Sequence, residues 1–352
     1  PLLAGEDKTF QVKVYWDASV DFSETNMSKE IEITLTYEQS DDGVPLPPKP
    51  GEGESIGGQN VEVVTSGDGL YEDQYETGRY IYRGSNPDNY IQFNNELWRI
   101  VAKETDGTYK IIRDELLPQN ANYTPMAYDV SNHRLTEKNT YCTYPRDGCE
   151  VYAAVSGTFQ TPNGNFSGTV TEDSSIKEYL NNTYYPTLDE TAKTQMQSHV
   201  FNIGSVQALD ESGNDSIEKN IAGEKMYKWT GNVGLVNVSD LLRASTNIAC
   251  QSATDQFNKL GQDTPEVTCD SNYLLDTLPD PTIYWTINVF SAESIGNNYG
   301  VWLAVREAGL AGFGRISASY DDRFGTRPVV FLNSSIQITA GDGTKSNPYI
   351  IQ

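Results

Sequence analysis

Three short apolar runs separated by turn dipeptides constrain this chain more than any other stretch. Tyr90-Ile91-Gln92-Phe93, Leu97-Trp98-Arg99-Ile100-Val101-Ala102 and Tyr109-Lys110-Ile111-Ile112-Arg113 are divided by Asn94-Asn95 and by Asp106-Gly107. Asn and Gly tolerate the left-handed backbone that tight hairpin turns require, so the spacing predicts a three-stranded antiparallel meander over residues 90–113. A meander needs further strands or helices to cover it. Composition agrees: 22 Tyr and 29 Gly in 352 residues, with 37% hydrophobic residues, point to strands and turns rather than to a helix bundle. The fold class expected is α+β, strand-rich, with a few helices.

Strands recur at both ends. Phe10, Val12, Val14 and Trp16 alternate with polar residues, as do Ile31, Ile33, Leu35 and Tyr37, which predicts an antiparallel pair within residues 1–39. Two strands alone are marginal in water, so this element reads as an incomplete sheet, completed by another subunit or by further residues. Residues 40–60 follow as a Pro-rich and then a Gly-rich linker, the first half extended and the second flexible. Residues 61–352 form the main α+β domain. Within it, Ile283–Ile287, Gly300–Val305, Arg327–Leu332, Ile336–Ile338 and Pro348–Ile351 read as strands, while 118–171 read as surface excursion.

Helices are expected in the middle. Asp173-Ser174-Ser175 caps one whose Ile176, Tyr179 and Leu180 share a face. Thr187-x-x-Glu190 has capping-box spacing ahead of Ala192, Met196 and Val200, with His199 as a surface charge at that helix's end. A third starts at Val238-Ser239.

The formal charge of −24 is spread along the chain and repels phosphate backbones and anionic lipid, so nucleic acid is excluded as a partner. Cys142 with Cys149 and Cys250 with Cys269 form two local pairs without Cys-x-x-Cys spacing. With only His133 and His199 beside them, they point to two disulfides, and hence to an extracellular or cell-surface address, rather than to zinc. Four reduced, buried cysteines are the alternative. No run is long and apolar enough for a signal peptide or a membrane span, and the chain reads as a mature or trimmed product.

The ordered set Gly69-Leu70-Tyr71-Glu72, Gly84-Ser85-Asn86-Pro87-Asp88-Asn89-Tyr90-Ile91, Trp98-Arg99-Ile100, Gly234–Asp240, Tyr284-Trp285-Thr286, Gly325-Thr326-Arg327-Pro328-Val329-Val330 and Gly341-Asp342-Gly343-Thr344 with Asn347-Pro348-Tyr349 resembles a family of extracellular proteins from Firmicutes. A tryptophan strand, a variable segment and a Gly-x-Arg-Pro strand also look like the C-type-lectin-like fold of formylglycine-generating-enzyme relatives and hypervariable receptor-binding proteins. Residues 8–17 resemble β-sandwich domains of Gram-positive surface proteins and matrix-fibre subunits. The resemblance implies a lectin-like domain preceded by a partial β-sandwich element.

The oxidising enzymes of that fold use a reactive cysteine pair near the C-terminal strands or a three-histidine iron site. No cysteine lies beyond Cys269, and two histidines cannot fill three positions. A secreted enzyme is therefore the disfavoured alternative to a non-catalytic adhesin or filament (pilus-type) subunit, and no catalytic residue is assigned.

Residues 291–324 are the expected partner-binding loops, with Tyr299, Trp302, Arg306, Phe313, Arg315, Tyr320, Asp321, Asp322, Arg323 and Phe324 supplying contact area and bidentate hydrogen bonds toward a protein or glycan. Self-association by strand addition at the N-terminal pair is a second expected partner. No cofactor is expected. Asp342-Gly343-Thr344 and Asp276 with Asp280 are oxygen-rich, but they lack the ligand spacing of a calcium loop.

Overall fold

A computed structural model describes residues 10–13, 30–33, 53–118, 151–160, 167–170, 173–207, 217–247, 271–291, 300–307, 310–316 and 324–352. The chain divides into two compact units, Pro1–Leu46 and Pro47–Gln352. The first contains an antiparallel pair, β1 (Phe10–Lys13) and β2 (Glu30–Ile33), in the register Phe10 to Ile33 and Lys13 to Glu30.

The second unit is strand-rich α+β, and it begins inside the stretch expected to be linker. Gly53–Ile56 (β3) and Gln59–Glu62 (β4) form a hairpin. Its turn, Gly57-Gly58, has both φ angles positive, at 53° and 80°. Gly-Gly suits a tight hairpin turn as well as it suits a flexible linker. The turn is seated on the main body, where Ile56 is buried, the Gly57 N–H donates to the Tyr109 hydroxyl at 2.9 Å, and the Gly57 carbonyl accepts from the Ile338 N–H at 2.8 Å.

Next come β5 (Gly69–Glu72), β6 (Tyr80–Arg83) and the meander β7 (Tyr90–Phe93), β8 (Glu96–Lys103) and β9 (Tyr109–Arg113), antiparallel as the turn residues predict. Asn94 and Asn95 hold φ of 52° and 58°, and Gly107 holds 83°. β8 is long enough to pair with β7 over its first half and with β6 at Lys103 and Ala102. Residues 151–153 depart from the expected surface excursion. Val151, Tyr152 and Ala153 are buried, and the Tyr152 hydroxyl donates to the Val233 carbonyl at 2.7 Å. They precede the pair β10 (Val155–Gln160) and β11 (Ser167–Val170).

Helix α1 (Ser175–Tyr179) starts where the sequence places it, with the Ser174 hydroxyl accepting from the Lys177 N–H, and it continues as a π turn over Leu180–Tyr184. Helix α2 (Glu190–Gln195) differs from expectation at both ends. Its cap is Asp189, whose carboxylate accepts from the Ala192 N–H at 2.6 Å, and it stops before Met196. Met196–Gln197 (β12) pairs with the strand that ends the Gly-x-Arg-Pro motif, and His199–Asn202 (β13) is extended, leaving Val200 exposed rather than in the core. Ala192, Met196 and Val200 at i, i+4, i+8 satisfy helical spacing, but strand pairing at Met196 wins over local pattern.

β14 (Ser205–Gln207) leads to α3 (Ile217–Lys225), a helix with apolar anchors only at Ile217 and Ile221 and therefore weak in the sequence. β15 (Lys228–Gly231) pairs with β13, and α4 (Val238–Arg243) follows, every residue of it buried. After α5 (Tyr273–Asp276) come β16 (Thr282–Ser291), β17 (Gly300–Glu307) and β18 (Leu310–Ile316). They join β14 in a four-stranded sheet of order β14-β16-β17-β18. The segment 291–324 thus contains a β-hairpin, whose first strand is the one expected at Gly300–Val305 and whose second, Leu310–Ile316, forms where a loop is expected.

The chain closes with β19 (Val329–Leu332), β20 (Ile338–Ala340) and β21 (Tyr349–Ile351). These complete a nine-stranded mixed sheet of order β12-β19-β9-β8-β7-β21-β20, with β6 on β8 and β5 on β6. Buried side chains on both faces of β8, including Trp98, Arg99, Ile100 and Val101, show that the sheet is covered on both sides. No helix among the described residues is long and apolar enough to cross a membrane.

Candidate functional site

The expected partner segment contains β17 and β18 of the four-stranded sheet, and its far end at Gly325 is clasped to the first residues of β16. The Trp285 N–H donates to the Gly325 carbonyl at 3.1 Å, and the Gly325 N–H donates to the Ile283 carbonyl at 2.9 Å. Glycine eases this close approach: a Cβ would lie 2.5 Å from Leu116 Cδ1, which would have to shift, and 3.1 Å from the Ile283 carbonyl oxygen. Phe324 meets Trp285 edge to face at 5.1 Å, closing the neck with aromatic contact.

Arg327 anchors the neck from inside. It is fully buried, its Nε donates to the Arg113 carbonyl at 2.9 Å and its Nη1 to the Leu274 carbonyl at 2.8 Å, and its guanidinium lies 5.2 Å from the centre of the Tyr284 ring. The Tyr284 hydroxyl donates to the same Leu274 carbonyl at 2.9 Å. Burial pushes the Tyr284 hydroxyl above its ordinary pKa against the opposing pull of Arg327, so it stays a neutral donor.

Of the residues expected to face a partner, the structure moves Trp302 into the core. It is fully buried, and its indole N–H donates to the Val206 carbonyl at 3.1 Å. An aromatic side chain flanked by Val301 and Leu303 in a strand covered on both faces has no route to solvent. Arg306 is half-buried and reaches the end of α5, donating to the Asp276 carbonyl at 2.5 Å and the Leu275 carbonyl at 3.3 Å as a C-terminal helix cap. Phe324 belongs to the neck. Arg315 sits on β18 opposite Trp302 in register. The side chains of Arg315 and Phe313, together with residues Tyr299, Tyr320, Asp321, Asp322 and Arg323, lie outside the described residues, as do Cys142, Cys149, Cys250 and Cys269.

A second constellation gave no sequence signal. Asp73, Arg79, Lys110, Glu224, Asp240 and Arg243 are all buried and converge from the β5–β6 turn, β9, α3 and α4. Arg79 reaches Asp73 at 2.8 Å, Asp240 at 2.7 Å and Glu104 at 2.9 Å. Arg243 reaches Asp73 at 2.5 Å, Glu76 at 2.7 Å and Asp240 at 3.2 Å. Lys110 Nζ lies 2.5 Å from Asp240 Oδ2 and 2.9 Å from Asn237 Oδ1.

The ionisation of this cluster follows from its packing. Burial raises the Asp240 carboxyl, but Lys110, Arg79 and Arg243 outweigh it and hold the group well below the usual carboxylate range. Burial likewise opposes Arg243 and Arg79 at Glu76, which settles at about 2. At Glu224 burial prevails and lifts the carboxyl to about 7, although it accepts from the Ser239 N–H at 2.8 Å and the Ser239 hydroxyl at 2.6 Å. Glu224 thereby ties the end of α3 to the start of α4.

The oxygen-rich stretches serve turns. Asp342 Oδ1 accepts from the Thr344 N–H at 3.0 Å and hydroxyl at 2.7 Å, and Asp276 accepts from the Asn272 N–H at 2.9 Å. His199 stacks on Phe331 at 3.9 Å and meets Asp106 at 3.0 Å. Among the described residues no group of three or more His, Cys, Asp or Glu side chains is placed to hold a metal ion.

Comparison with protein-family models, curated proteins and solved structures finds no match. The chemistry of the chain's own residues therefore carries the functional reading.

Proposed function

We propose that this chain is a non-catalytic, extracellular surface protein of a Gram-positive bacterium, adhesin-like or a filament subunit, with a C-type-lectin-like body. It engages a protein or glycan partner through residues 291–324. The observation that carries the reading is the neck. Trp285 and Gly325 are clasped over the buried Arg327, so the stretch between them is tied at its base; β17 and β18 within it belong to the sheet, and the residues outside those strands can change sequence without disturbing it. The tryptophan strand and the Gly-x-Arg-Pro strand, which carry the lectin-like resemblance, are the two sides of that clasp.

The filament form of the reading draws on the first unit. An antiparallel pair of four-residue strands is too small to be stable alone, and strand addition from another subunit is one way to complete it.

The test is Tyr320→Ala with Arg323→Ala in the full chain, measured against immobilised bacterial-surface glycans and host matrix proteins. We expect at least a tenfold loss of binding with an unchanged melting temperature. Unchanged binding would remove the segment as the partner surface. Negative-stain microscopy of concentrated protein separates the two forms: filaments favour the subunit, and monodisperse particles favour the adhesin.

A further inference from the structure

We propose that Arg327 and Arg99 hold a small monovalent anion, of halide or formate size, against Nη2 of Arg327 beneath the neck. The inference is independent of any partner. Both arginines are fully buried, and every hydrogen bond they make goes to a neutral acceptor. Arg99 donates to Asn89 Oδ1 at 2.7 Å, the Tyr90 hydroxyl at 2.8 Å and the Pro87 carbonyl at 3.1 Å. Its guanidinium lies 3.8 Å from the centre of the Tyr90 ring and 4.6 Å from that of Tyr273. Arg327 donates to the Arg113 and Leu274 carbonyls and, at 3.4 Å, to the Tyr284 hydroxyl. Neither arginine forms an ion pair among the described residues.

A charge taken out of water is costly unless an opposite charge meets it. The two arginines are electrostatic neighbours. Burial lowers the pKa of Arg99, Tyr90, Tyr273 and Asp114 oppose that shift, and Arg327 adds to it. The Asp114 carboxylate is buried beside them but does not neutralise the pair. Its Oδ2 faces Lys345 Nζ at 3.4 Å, and its Oδ1 has no hydrogen-bond partner. Two guanidinium charges against one carboxylate leave one positive charge uncompensated, so the missing anion is monovalent.

One donor is left to hold it. Arg327 Nη2 is buried and has no hydrogen-bond partner, while Nε and Nη1 of the same group are both engaged. A rigid guanidinium fixed at two nitrogens aims the third in a set direction, and its charge-assisted hydrogen bond to an anion is about twice as strong as a neutral one. The rings of Tyr90, Tyr273 and Tyr284 pack against the two guanidiniums, which favours a compact anion over sulfate or phosphate. Lys345 marks the side open to solvent. Its side chain is 60% exposed, lies 5.7 Å from the centre of the Tyr90 ring, and draws anions toward Asp114 and the buried pair.

The experiment is calorimetric unfolding of the full chain at constant ionic strength, with sodium gluconate replaced stepwise by sodium chloride and, in a second series, by sodium formate. An anion bound only by the folded state raises the melting temperature along a saturating curve, whereas a general salt effect does not saturate. We expect a saturating rise of about 3 °C or more by about 0.3 M chloride. Lys193→Ala should keep that rise, and Arg327→Lys, which retains the charge but has no further nitrogen to offer, should lose it. Crystals grown with bromide in place of chloride should show its anomalous signal within hydrogen-bonding reach of Arg327 Nη2. Saturation with chloride alone assigns a halide site, and saturation with formate as well assigns one that also takes a carboxylate. A wild-type melting temperature that responds to neither anion would overturn the proposal, since water alone then meets Nη2. So would bromide absent from Nη2, or an undiminished rise in Arg327→Lys. Because the titration and the bromide signal are read on the wild type, they decide the matter even where Arg327→Lys fails to fold.

Discussion

Arg79 and Asp240 are separated by 161 residues of chain and meet at 2.7 Å with their side chains almost fully buried. Asp240 also faces Arg243 and Lys110, so its removal leaves three cations without their shared anion. Breaking a buried pair by deleting one partner costs about 3–5 kcal/mol, far more than the pair's net contribution. Asp240→Ala should therefore lower the unfolding free energy in urea by about that amount. By contrast Lys193→Ala, which breaks a pair with the exposed Glu190, should change it by less than about 0.5 kcal/mol. Similar small losses for both would mean that water reaches the cluster.

Glu224 gives the stability curve a falling limb. Its folded carboxyl titrates near 7 and its unfolded one near 4.5. Below 4.5 both states hold the proton. Between 4.5 and about 7 the unfolded chain releases it while the folded chain keeps it, so stability decreases as pH rises, and it is level above. Glu76 and Asp240 act in the opposite sense. Their folded carboxyls are depressed, so their contribution is complete above the unfolded values and is lost as pH falls, for Glu76 toward about 2. Urea unfolding should show a maximum around pH 4.5–5, with a loss on the order of 3 kcal/mol by pH 8. Glu224→Gln, which copies the protonated carboxyl, should remove most of that fall. An unaltered curve in the variant would assign the fall to another group.

The meander was legible because Asn94-Asn95 and Asp106-Gly107 encode their turns locally, and α1 was legible because Ser174 caps it within three residues. Where two structures share one local signal, the sequence is silent about the choice. Gly57-Gly58 suits a linker and a hairpin equally, and Met196 suits a helix face and a strand pair. Trp302 is an interface residue by type and a core residue by position, because sheet burial depends on what packs from either side. The charge cluster draws on residues 73, 79, 110, 224, 240 and 243, and its members gain meaning only once the β5–β6 turn lies against α4. Lys110 illustrates the point: in the sequence it is one polar residue in a strand, and in the fold it lies between Asp240 and Asn237.

The Gly-Asp-Gly-Thr ending is scaffold, which makes its glycines sensitive. Gly341 holds φ of 89°, and a Cβ there would lie 2.1 Å from the Pro348 carbonyl oxygen. The next glycine presents its carbonyl to the Tyr90 N–H at 2.8 Å, tying the turn to β7. Gly341→Ala should cost about 1–3 kcal/mol from backbone strain alone, read as a lower melting temperature. Gly78→Ala is the comparison, because Gly78 also has positive φ, at 81°, but a Cβ there meets nothing within 4 Å. A smaller loss at Gly78 would isolate the contribution of the Pro348 contact, and equal losses would deny it.

Arg327 offers the sharpest test of the neck. Its fork spans the Arg113 and Leu274 carbonyls while its plane faces Tyr284, an arrangement that one guanidinium satisfies and an ammonium cannot. In Arg327→Lys at least one of those carbonyls loses its charged donor, a loss of about 1.5–3 kcal/mol. The damage should be local before it is global. The Trp285 and Gly325 amides, which close the clasp, should exchange with deuterium at least tenfold faster, while the Ile100 amide, bonded to the Asn89 carbonyl at 2.8 Å within the large sheet, should follow only the global loss. If all three amides accelerate together, Arg327 supports the whole body and the neck has no stability of its own. If Trp285 and Gly325 accelerate alone, the neck is a separate unit, able to loosen under a variable segment without unfolding the sheet that carries it.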